Sequence, residues 1–188
     1  MTINPEPVVS NQTDSICSDV ASGVSFNGSS SVAAATYTIT SINANGLTPS
    51  AGNPATGTNL AVNVIADDAW TNTTPLPVNV VYTVVPVSAA SCAGEPFTFT
   101  LTVNPEPVVV NQTVTICSDA ALGVNFNSSS SVGATSYNVT NLQLNGLVVS
   151  AGGAAIATGL TANALFNDAF TNLTSLPVLW MQSGLSPI

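Results

Sequence analysis

The side chains of this chain that could do acid–base chemistry near neutral pH are carboxylates. The 188 residues include nine Asp and Glu residues and no Lys, Arg or His, so the usual general bases and the cationic partners of nucleophiles are missing. Glycoside hydrolysis by two carboxylates requires them about 5–9.5 Å apart in a cleft. Asp67 and Asp68, as neighbours on an extended segment, would point to opposite faces. We therefore predict no catalytic residue and no enzyme activity.

The same carboxylates are the candidates for a metal site. Calcium takes about six to eight oxygen ligands, which Asp, Asn and backbone carbonyls can supply, and Asp67 and Asp68 are weak candidates for it. No segment follows the Asp-x-Asp-x-Asp-Gly pattern of a calcium loop. The alternative is that these acids are turn and cap residues on an acidic surface. We predict no cofactor, with calcium as the candidate to test.

Two aromatic residues stand close to these acids. Trp70 lies two residues after Asp68, and Phe170 occupies the equivalent position after Asp168. An exposed ring beside polar groups could stack on a sugar, so Trp70 and Phe170 are the candidate glycan contacts. The alternative is a ring buried at the base of a loop.

The composition excludes several classes of partner. A chain with a net charge of −9 and no cationic side chain cannot neutralise phosphates, so we predict no nucleic-acid partner. No stretch approaches 18 uninterrupted apolar residues, and no signal peptide is visible at the N-terminus, so we predict no membrane insertion. A hydrophobic content of 45% argues for a folded chain.

The chain contains one unit twice. The segment 4–9, Asn-Pro-Glu-Pro-Val-Val, recurs at 104–109, so the offset is 100 residues. We predict two domains, a complete one at 1–103 and a second at 104–188. The prolines of the joint at 103–107 restrict the backbone, which favours a short, stiff connection and an extended rod.

Each unit has the periodicity of strands. In the segment 97–103, apolar residues alternate with threonine, which indicates a strand with one buried face. The segment 78–87 is a β-branched run around Tyr82. About seven short strands per 100 residues are typical of an immunoglobulin-like sandwich. The predicted fold class is all-β, with tandem immunoglobulin-like β-sandwiches. Weaker strands are predicted at 8–13, 24–27, 36–42 and 59–65, and a turn at Asn45-Gly46.

The second copy departs from the first near its end. The match stops after Leu176-Pro177-Val178, and the segment 179–188 is divergent. We therefore expect the second sandwich to lack its last two strands, which correspond to 79–103 of the first copy. Because such a sandwich exposes a sheet edge and part of its core, we predict that residues 104–188 are less stable or are covered by a neighbouring chain.

Three cysteines occupy repeat positions. Cys17 and Cys92 lie in the first copy, and Cys117 is the counterpart of Cys17. We expect a Cys17–Cys92 disulfide, since the array looks extracellular, and an unpaired Cys117. A bridge closing so long a loop would contribute about 4–5 kcal/mol in the chain-entropy model. The alternative is free, buried cysteines that pack as small apolar residues.

The first copy carries three longer motifs, of which the first recurs in the second copy. They are Asn-Pro-x-Pro-Val-Val-x-Asn-Gln-Thr-x-x-Ile-Cys-Ser, Tyr-Thr-Val-x-Pro and Cys-x-Gly-x-Pro-Phe-Thr-Phe-Thr-Leu-Thr-Val-Asn-Pro. In combination they resemble the PKD-like repeat domains of large Bacteroidetes cell-surface and adhesin proteins, over residues 4–103 and, for the second copy, 104–178. The resemblance implies an immunoglobulin-like β-sandwich, export to the cell surface and service as a spacer or adhesive stalk.

We accordingly predict a non-catalytic, extracellular structural repeat, acting as a spacer or stalk of a large adhesin-like cell-surface protein. The expected partners are neighbouring repeats, with a glycan or a cell-surface protein as further candidates. One alternative is a carbohydrate- or protein-binding adhesin domain in its own right. A second alternative is an accessory module of a secreted hydrolase.

Overall fold

The chain divides into two compact units, Met1–Glu106 and Pro107–Ile188. The computed structural model describes residues 1–29, 31–109, 111–126, 131–153, 155–179 and 181–187, the last segment by its backbone. The division falls three residues beyond the predicted boundary at 103, because Asn104 is still the last residue of a strand of the first unit. The described residues form strands, turns and loops and contain no helix.

The first unit is a β-sandwich of two sheets. One sheet has five strands in the order β1-β7-β6-β2-β4, and the other pairs β3 with β5. Neighbouring strands are antiparallel, except that β1 runs parallel to β7. This arrangement confirms the predicted all-β, immunoglobulin-like fold class. The strands are β1 (Gln12–Cys17), β2 (Ala34–Asn43), β3 (Thr48–Ala51), β4 (Gly57–Leu60), β5 (Ala69–Thr71), β6 (Val78–Ser88) and β7 (Phe97–Asn104).

The two strongest sequence patterns form the centre of the large sheet. Every second residue of β7 is buried, and the threonines between them are half-buried on the outer face. Strand β6 alternates in the same way. The predictions at 78–87 and 97–103 are therefore confirmed. The buried side chains of both strands belong to one core with Phe26, whose ring lies 5.7 Å from Phe97 and 6.1 Å from Phe99 between centroids.

The weaker patterns locate strands less well. The prediction at 36–42 is confirmed by β2, whereas the strand predicted at 8–13 begins at Gln12, where pairing with β7 starts. The strand predicted at 59–65 ends at Leu60 and continues as turns. The segment 24–27 forms no strand. The sequence did not predict β3 and β5, which are only four and three residues long.

The predicted Asn-Gly turn is present in both units. Asn45 and Gly46 have φ angles of 48° and 91°, and Asn145 and Gly146 have 48° and 88°. Successive positive φ angles are the geometry for which Asn-Gly is favoured, so this prediction is confirmed.

The second unit has five described strands in two sheets. One sheet has the order β10-β8-β12, and the other pairs β11 with β9. These strands are β8 (Tyr137–Gln143), β9 (Val148–Ala151), β10 (Ala157–Leu160), β11 (Ala169–Thr171) and β12 (Met181–Pro187).

Strand β12 corrects one expectation about the divergent tail. It pairs with β8 as β6 pairs with β2, with Met181 opposite Gln143 and Val81 opposite Asn43. The prediction that the second sandwich lacks both of its last strands is therefore wrong for the first of them. The physical reason is that strand pairing uses backbone groups, so a segment with a different sequence can occupy the position of β6.

No described residue of the second unit takes the place of β7. The segment 112–117, which matches β1, accordingly forms no strand. Ile116 is 37% exposed, whereas its counterpart Ile16 is 9% exposed. The position of β1 therefore depends on the strand beside it.

Candidate functional site

A buried polar network lies inside the first unit. The hydroxyl of Tyr82 donates a hydrogen bond to Asp68 Oδ2 at 2.9 Å, and Trp70 Nε1 donates to the Tyr82 hydroxyl oxygen at 3.0 Å. None of the three residues is more than 3% exposed. Because buried polar groups need partners, these bonds fix the three side chains relative to one another.

Both sheets and one glycine position this network. Trp70 lies on β5 of the small sheet, Tyr82 lies on β6 of the large sheet, and Asp68 directly precedes β5. Gly52 lies against the carboxylate with a φ of +81°, and a Cβ atom there would come within 2.6 Å of Asp68 Oδ1. Only glycine combines this φ angle with so close an approach.

The network holds an acid in an unfavourable environment. Burial raises the pKa of Asp68, the Tyr82 hydrogen bond opposes this effect, and the neighbouring charge of Asp67 adds to it. Burial, followed by the charge of Asp68, also raises the pKa of Tyr82. Tyr82 therefore remains a neutral donor under ordinary conditions. The arrangement stabilises the interior, and it contains no second carboxylate with which Asp68 could form a catalytic pair.

The two calcium candidates do not converge. Asp68 is buried and bonded to Tyr82, whereas its neighbour Asp67 is exposed. The two side chains diverge as predicted, but Asp67 ends a turn and is not part of an extended segment. Over the described ranges, no group of three or more Cys, Asp or Glu side chains is arranged as a metal site. A calcium effect stays a matter for experiment.

The candidate glycan contacts are buried. Trp70 is 3% exposed and Phe170 is 5% exposed. Stacking on a sugar requires a ring face open to solvent, so the prediction of a glycan contact at these residues is wrong. The alternative, a ring buried at the base of a loop, is the correct one for both.

The predicted Cys17–Cys92 disulfide is also wrong. All three cysteines are free, and Cys17 and Cys92 lie at opposite ends of β7. Cys17 pairs in register with Asn104 at the last residue of that strand, while Cys92 precedes its first residue, Phe97. The eight residues of β7 span about 23 Å, whereas the Cα atoms of a disulfide lie about 4.4–6.8 Å apart. Cys117 is exposed and unpaired.

A buried asparagine, which the sequence analysis did not single out, organises one end of the first unit. Asn72 is fully buried, and its Nδ2 donates to the carbonyl oxygens of Leu76 at 2.9 Å and Val103 at 2.8 Å. Its Oδ1 accepts from the backbone N–H and the hydroxyl of Thr74. All hydrogen-bonding positions of the amide are therefore used. The signal for it is an Asn-x-Thr turn that both copies place before a Leu-Pro pair.

An acidic pair lies at the same end. The hydroxyl of Thr71 donates to Asp19 Oδ1 at 2.6 Å, and this bond lowers the pKa of Asp19. Burial raises the pKa of the nearby Glu106, and its interactions with Asp19 add to the shift. Of these two neighbouring acids, Asp19 is therefore the more readily ionised.

These features define an immunoglobulin-like β-sandwich module whose buried polar groups are structural. The model of the PKD-like domain family matches residues 14–107, which is half of the chain. The chain therefore belongs to the PKD-like domain family. Domains of this family are generally non-catalytic and typically occur in extracellular proteins.

The other comparisons add no relative. No curated protein and no solved structure gives a significant match to the chain. Over the described residues, no helix has the length and apolar character needed to cross a membrane.

Proposed function

We propose that this chain is a non-catalytic spacer of an extracellular protein and that its first unit bears tension along the chain. The observation that carries the proposal is the pairing of the first and last strands of the unit. Strand β1 lies parallel to β7 over six consecutive residue pairs. Force applied to the two ends of the unit would pull β1 and β7 in opposite directions along their length, and would load their hydrogen bonds together rather than one after another.

The way in which the chain leaves the first unit supports the same role. Asn104 at the end of β7 donates from Nδ2 to the Ser15 hydroxyl at 3.0 Å and to the Ile16 carbonyl oxygen at 3.1 Å. Two residues later, the Glu106 N–H donates to the Asn72 carbonyl oxygen at 3.0 Å. The first residues of the joint are thus held on the sandwich, as a spacer with a defined exit direction requires.

The segment through which the chain enters the unit is held on the sandwich by similar hydrogen bonds. The Val8 N–H donates to the Ser31 hydroxyl oxygen at 3.0 Å, and this hydroxyl donates to the Glu6 carbonyl oxygen at 2.6 Å. In the second unit, Val108 N–H donates to the Ser131 hydroxyl oxygen at 3.0 Å. Entry is therefore fixed by the same contact in both copies.

Pulling the full chain by its ends in a single-molecule force experiment tests the proposal. We expect the second unit, whose described residues lack the β1–β7 pair, to open first at low force. The first unit should then open in one step at clearly higher force, with a contour-length gain of about 30 nm. The second unit is the matched internal control, and opening of both units at the same low force would contradict a load-bearing role.

The predicted alternatives keep their own tests. Specific binding of the full chain on a glycan array or to intact cells would favour an adhesin domain, although the burial of Trp70 and Phe170 removes the surface on which that alternative rested. A role as an accessory module of a secreted hydrolase would require a catalytic domain in the same protein.

A further inference from the structure

The free cysteines of the first unit lie beside the segments through which the chain enters and leaves that unit. Cys17 is the register partner of Asn104, and Asn104 opens the Asn-Pro-Glu-Pro joint. Ile16 and Val103, the pair before them, are buried, while Cys17 is exposed. Because side chains alternate between sheet faces, the Cys17 thiol lies on the outer face, next to the first residue of the joint.

At the other end of the unit, Cys92 lies beside the segment through which the chain enters. Cys92 Sγ lies 4.0 Å from the carbonyl oxygen of Asn4. The turn that carries Cys92 packs closely on this entry segment, since a Cβ atom on Gly94 would collide with the Pro7 carbonyl oxygen. The Cys92 thiol is therefore held beside Asn4 by the backbone on both sides of the contact.

Asn4 and Asn104 are the same position of the repeat. Each begins the sequence Asn-Pro-Glu-Pro-Val-Val, 100 residues apart. In two complete successive copies, one joint would therefore have two cysteines beside its first asparagine. One is the Cys17-type cysteine of the copy before the joint, and the other is the Cys92-type cysteine of the copy after it.

We propose that the cysteines cross-link successive copies, from position 17 of one copy to position 92 of the next. Cys17 is one strand spacing, about 4.8 Å, from the first asparagine of the joint. The Cys92-type thiol of the next copy would lie 4.0 Å from the carbonyl oxygen of the same asparagine, as Cys92 does from Asn4, so both thiols lie beside one residue. Under this pairing the partner of Cys17 would fall at position 192 of a complete second copy. Cys92 would pair with a copy placed before it, and Cys117 with a copy placed after it.

The reaction is an ordinary thiol–disulfide exchange with a small disulfide oxidant such as oxidised glutathione. The two thiols lose two protons and two electrons and form one S–S bond, and the oxidant gains them and is released as two thiols. Cys17 is exposed and Cys92 is half-buried, so a small oxidant can reach each of them. The cross-link goes beyond the spacer role, and it can be measured in vitro wherever the protein resides.

A full chain preceded by one more copy tests the proposal. Residues 1–103 are fused ahead of residues 4–188, which reproduces the natural Val-Asn-Pro joint. Two cysteines are replaced by serine: the one at position 92 of the added copy, and Cys17 of the original chain (Cys17→Ser). Three cysteines remain, at position 17 of the added copy, Cys92 and Cys117. After dilute incubation with glutathione buffer, we expect one intramolecular disulfide between position 17 of the added copy and Cys92, and one free thiol, at Cys117.

The matched control exchanges the two serine positions. It keeps the same number of thiols, at position 92 of the added copy and at Cys17, but the structure places these two away from the shared joint. We expect three free thiols in the control. Cleavage with Asp- and Glu-specific proteases followed by mass spectrometry identifies the pairs, since trypsin has no site in the chain. Three free thiols in the test chain, or equal cross-linking in both chains, would overturn the proposal.

A second variant keeps the test decisive if the added copy does not fold. Residues 79–103 replace residues 179–188, which completes the second copy and places a cysteine at position 192. We expect a disulfide from Cys17 to position 192, with Cys92 and Cys117 free. Disulfides within each copy, Cys17 with Cys92 and Cys117 with position 192, would contradict the proposal.

Discussion

The two units share their motifs but not the completeness of their cores. In the first unit, β7 contributes four side chains that are at most 2% exposed and pairs with β1 on its far side. In the second unit no described residue replaces β7, and the core cluster of its described residues is built around Leu122, Phe126, Tyr137, Leu165 and Phe170. The difference shows that one strand both fills the interior and orders its neighbour.

One tyrosine hydrogen bond is present in both units and therefore does not depend on β7. Tyr37 and Tyr137 each donate from the hydroxyl to a carbonyl oxygen, of Phe26 and Phe126 respectively, at 3.1 Å. Residues that are close in sequence make this contact, so it forms in both units. The Asp68 network does not recur in the same form, because the side chain of Phe170 has no N–H group. Asp168 Oδ2 is buried without a hydrogen-bond partner among the described residues.

The largest expected effect comes from removing the central ring of each core. Phe26 contacts three aromatic rings within 6.1 Å between centroids, whereas among the described residues Phe126 contacts one, that of Tyr137. We expect Phe26→Ala to lower the free energy of unfolding of the first unit by about 3–5 kcal/mol, and Phe126→Ala to cost the second unit less. Hydrogen exchange with peptic digestion measures the two units separately, and equal losses would contradict the comparison.

The side-chain amide of Asn72 should contribute more to the stability of the first unit than that of Asn172 contributes to the second. Asn72→Ala removes the buried donor to the Val103 carbonyl oxygen, whereas the carbonyl oxygen of the exposed Leu76 keeps the Thr74 hydroxyl as its donor. We expect a loss of about 2–3 kcal/mol. In Asn172→Ala the affected carbonyl oxygen, that of Leu176, is exposed and can bond to water, so we expect about 1 kcal/mol or less. Urea unfolding followed by hydrogen exchange gives both values. A larger loss for Asn172→Ala than for Asn72→Ala would contradict this comparison.

Tyr82→Phe should give the first unit the defect found at Asp168. It leaves Asp68 Oδ2 and Trp70 Nε1 without their partner, so we expect a loss of about 2 kcal/mol. Tyr37→Phe is the control, since it removes one hydrogen bond to a backbone carbonyl and should cost about 1 kcal/mol. The fluorescence of Trp70, recorded in a Trp180→Phe background, reports the unfolding of the first unit. Equal costs for the two variants would mean that the network adds nothing to its separate bonds.

A smaller effect is expected from pH. Burial raises the pKa of Asp68 above its ordinary value of 3.8, so its contribution to stability is complete below that value and declines as the pH rises through the folded-state pKa. Glu106 acts in the same direction and Asp19 in the opposite one. We expect Asp68→Asn to flatten the pH dependence of unfolding of the first unit above pH 3.8. An unchanged profile would show that Asp68 is not the main titrating group.

The smallest expected effect is that of calcium. Asp67 is exposed and Asp68 is bonded to Tyr82, so these acids do not form a shared site. We expect the melting temperature of the full chain to be the same with calcium and with a chelator. A rise of several degrees that Asp67→Asn abolishes would reveal a site at this turn.

The parts of the fold that the sequence could predict are those in which local pattern and tertiary position agree. Strands β6 and β7 have one face of large apolar residues, and the Asn-Gly turns need positive φ angles, so both were predictable. The start of β1 was not, because its register comes from β7. Strand β12 was not either, since its backbone, and not a repeat motif, places it beside β8.

The errors about the site have a common physical origin. A spacing of 75 residues between Cys17 and Cys92 gives no indication of which end of β7 each one occupies. The sequence around Trp70 likewise does not show that its N–H group has a buried partner in Tyr82, which is twelve residues away. Both facts depend on the order of strands across the sheets, which local patterns do not specify.

The edge of the large sheet affects how separate molecules of this protein meet. Strand β1 is an edge strand, and Asp14 in its middle is exposed. Sheet edges that meet can join and start aggregation, and charged residues on an edge oppose this. Since the chain has no cationic side chain, no edge of one molecule can attract an edge of another by ion pairing. Repulsion between the negative charges therefore opposes edge-to-edge association of separate molecules. Salt, by screening the charges, should weaken this repulsion.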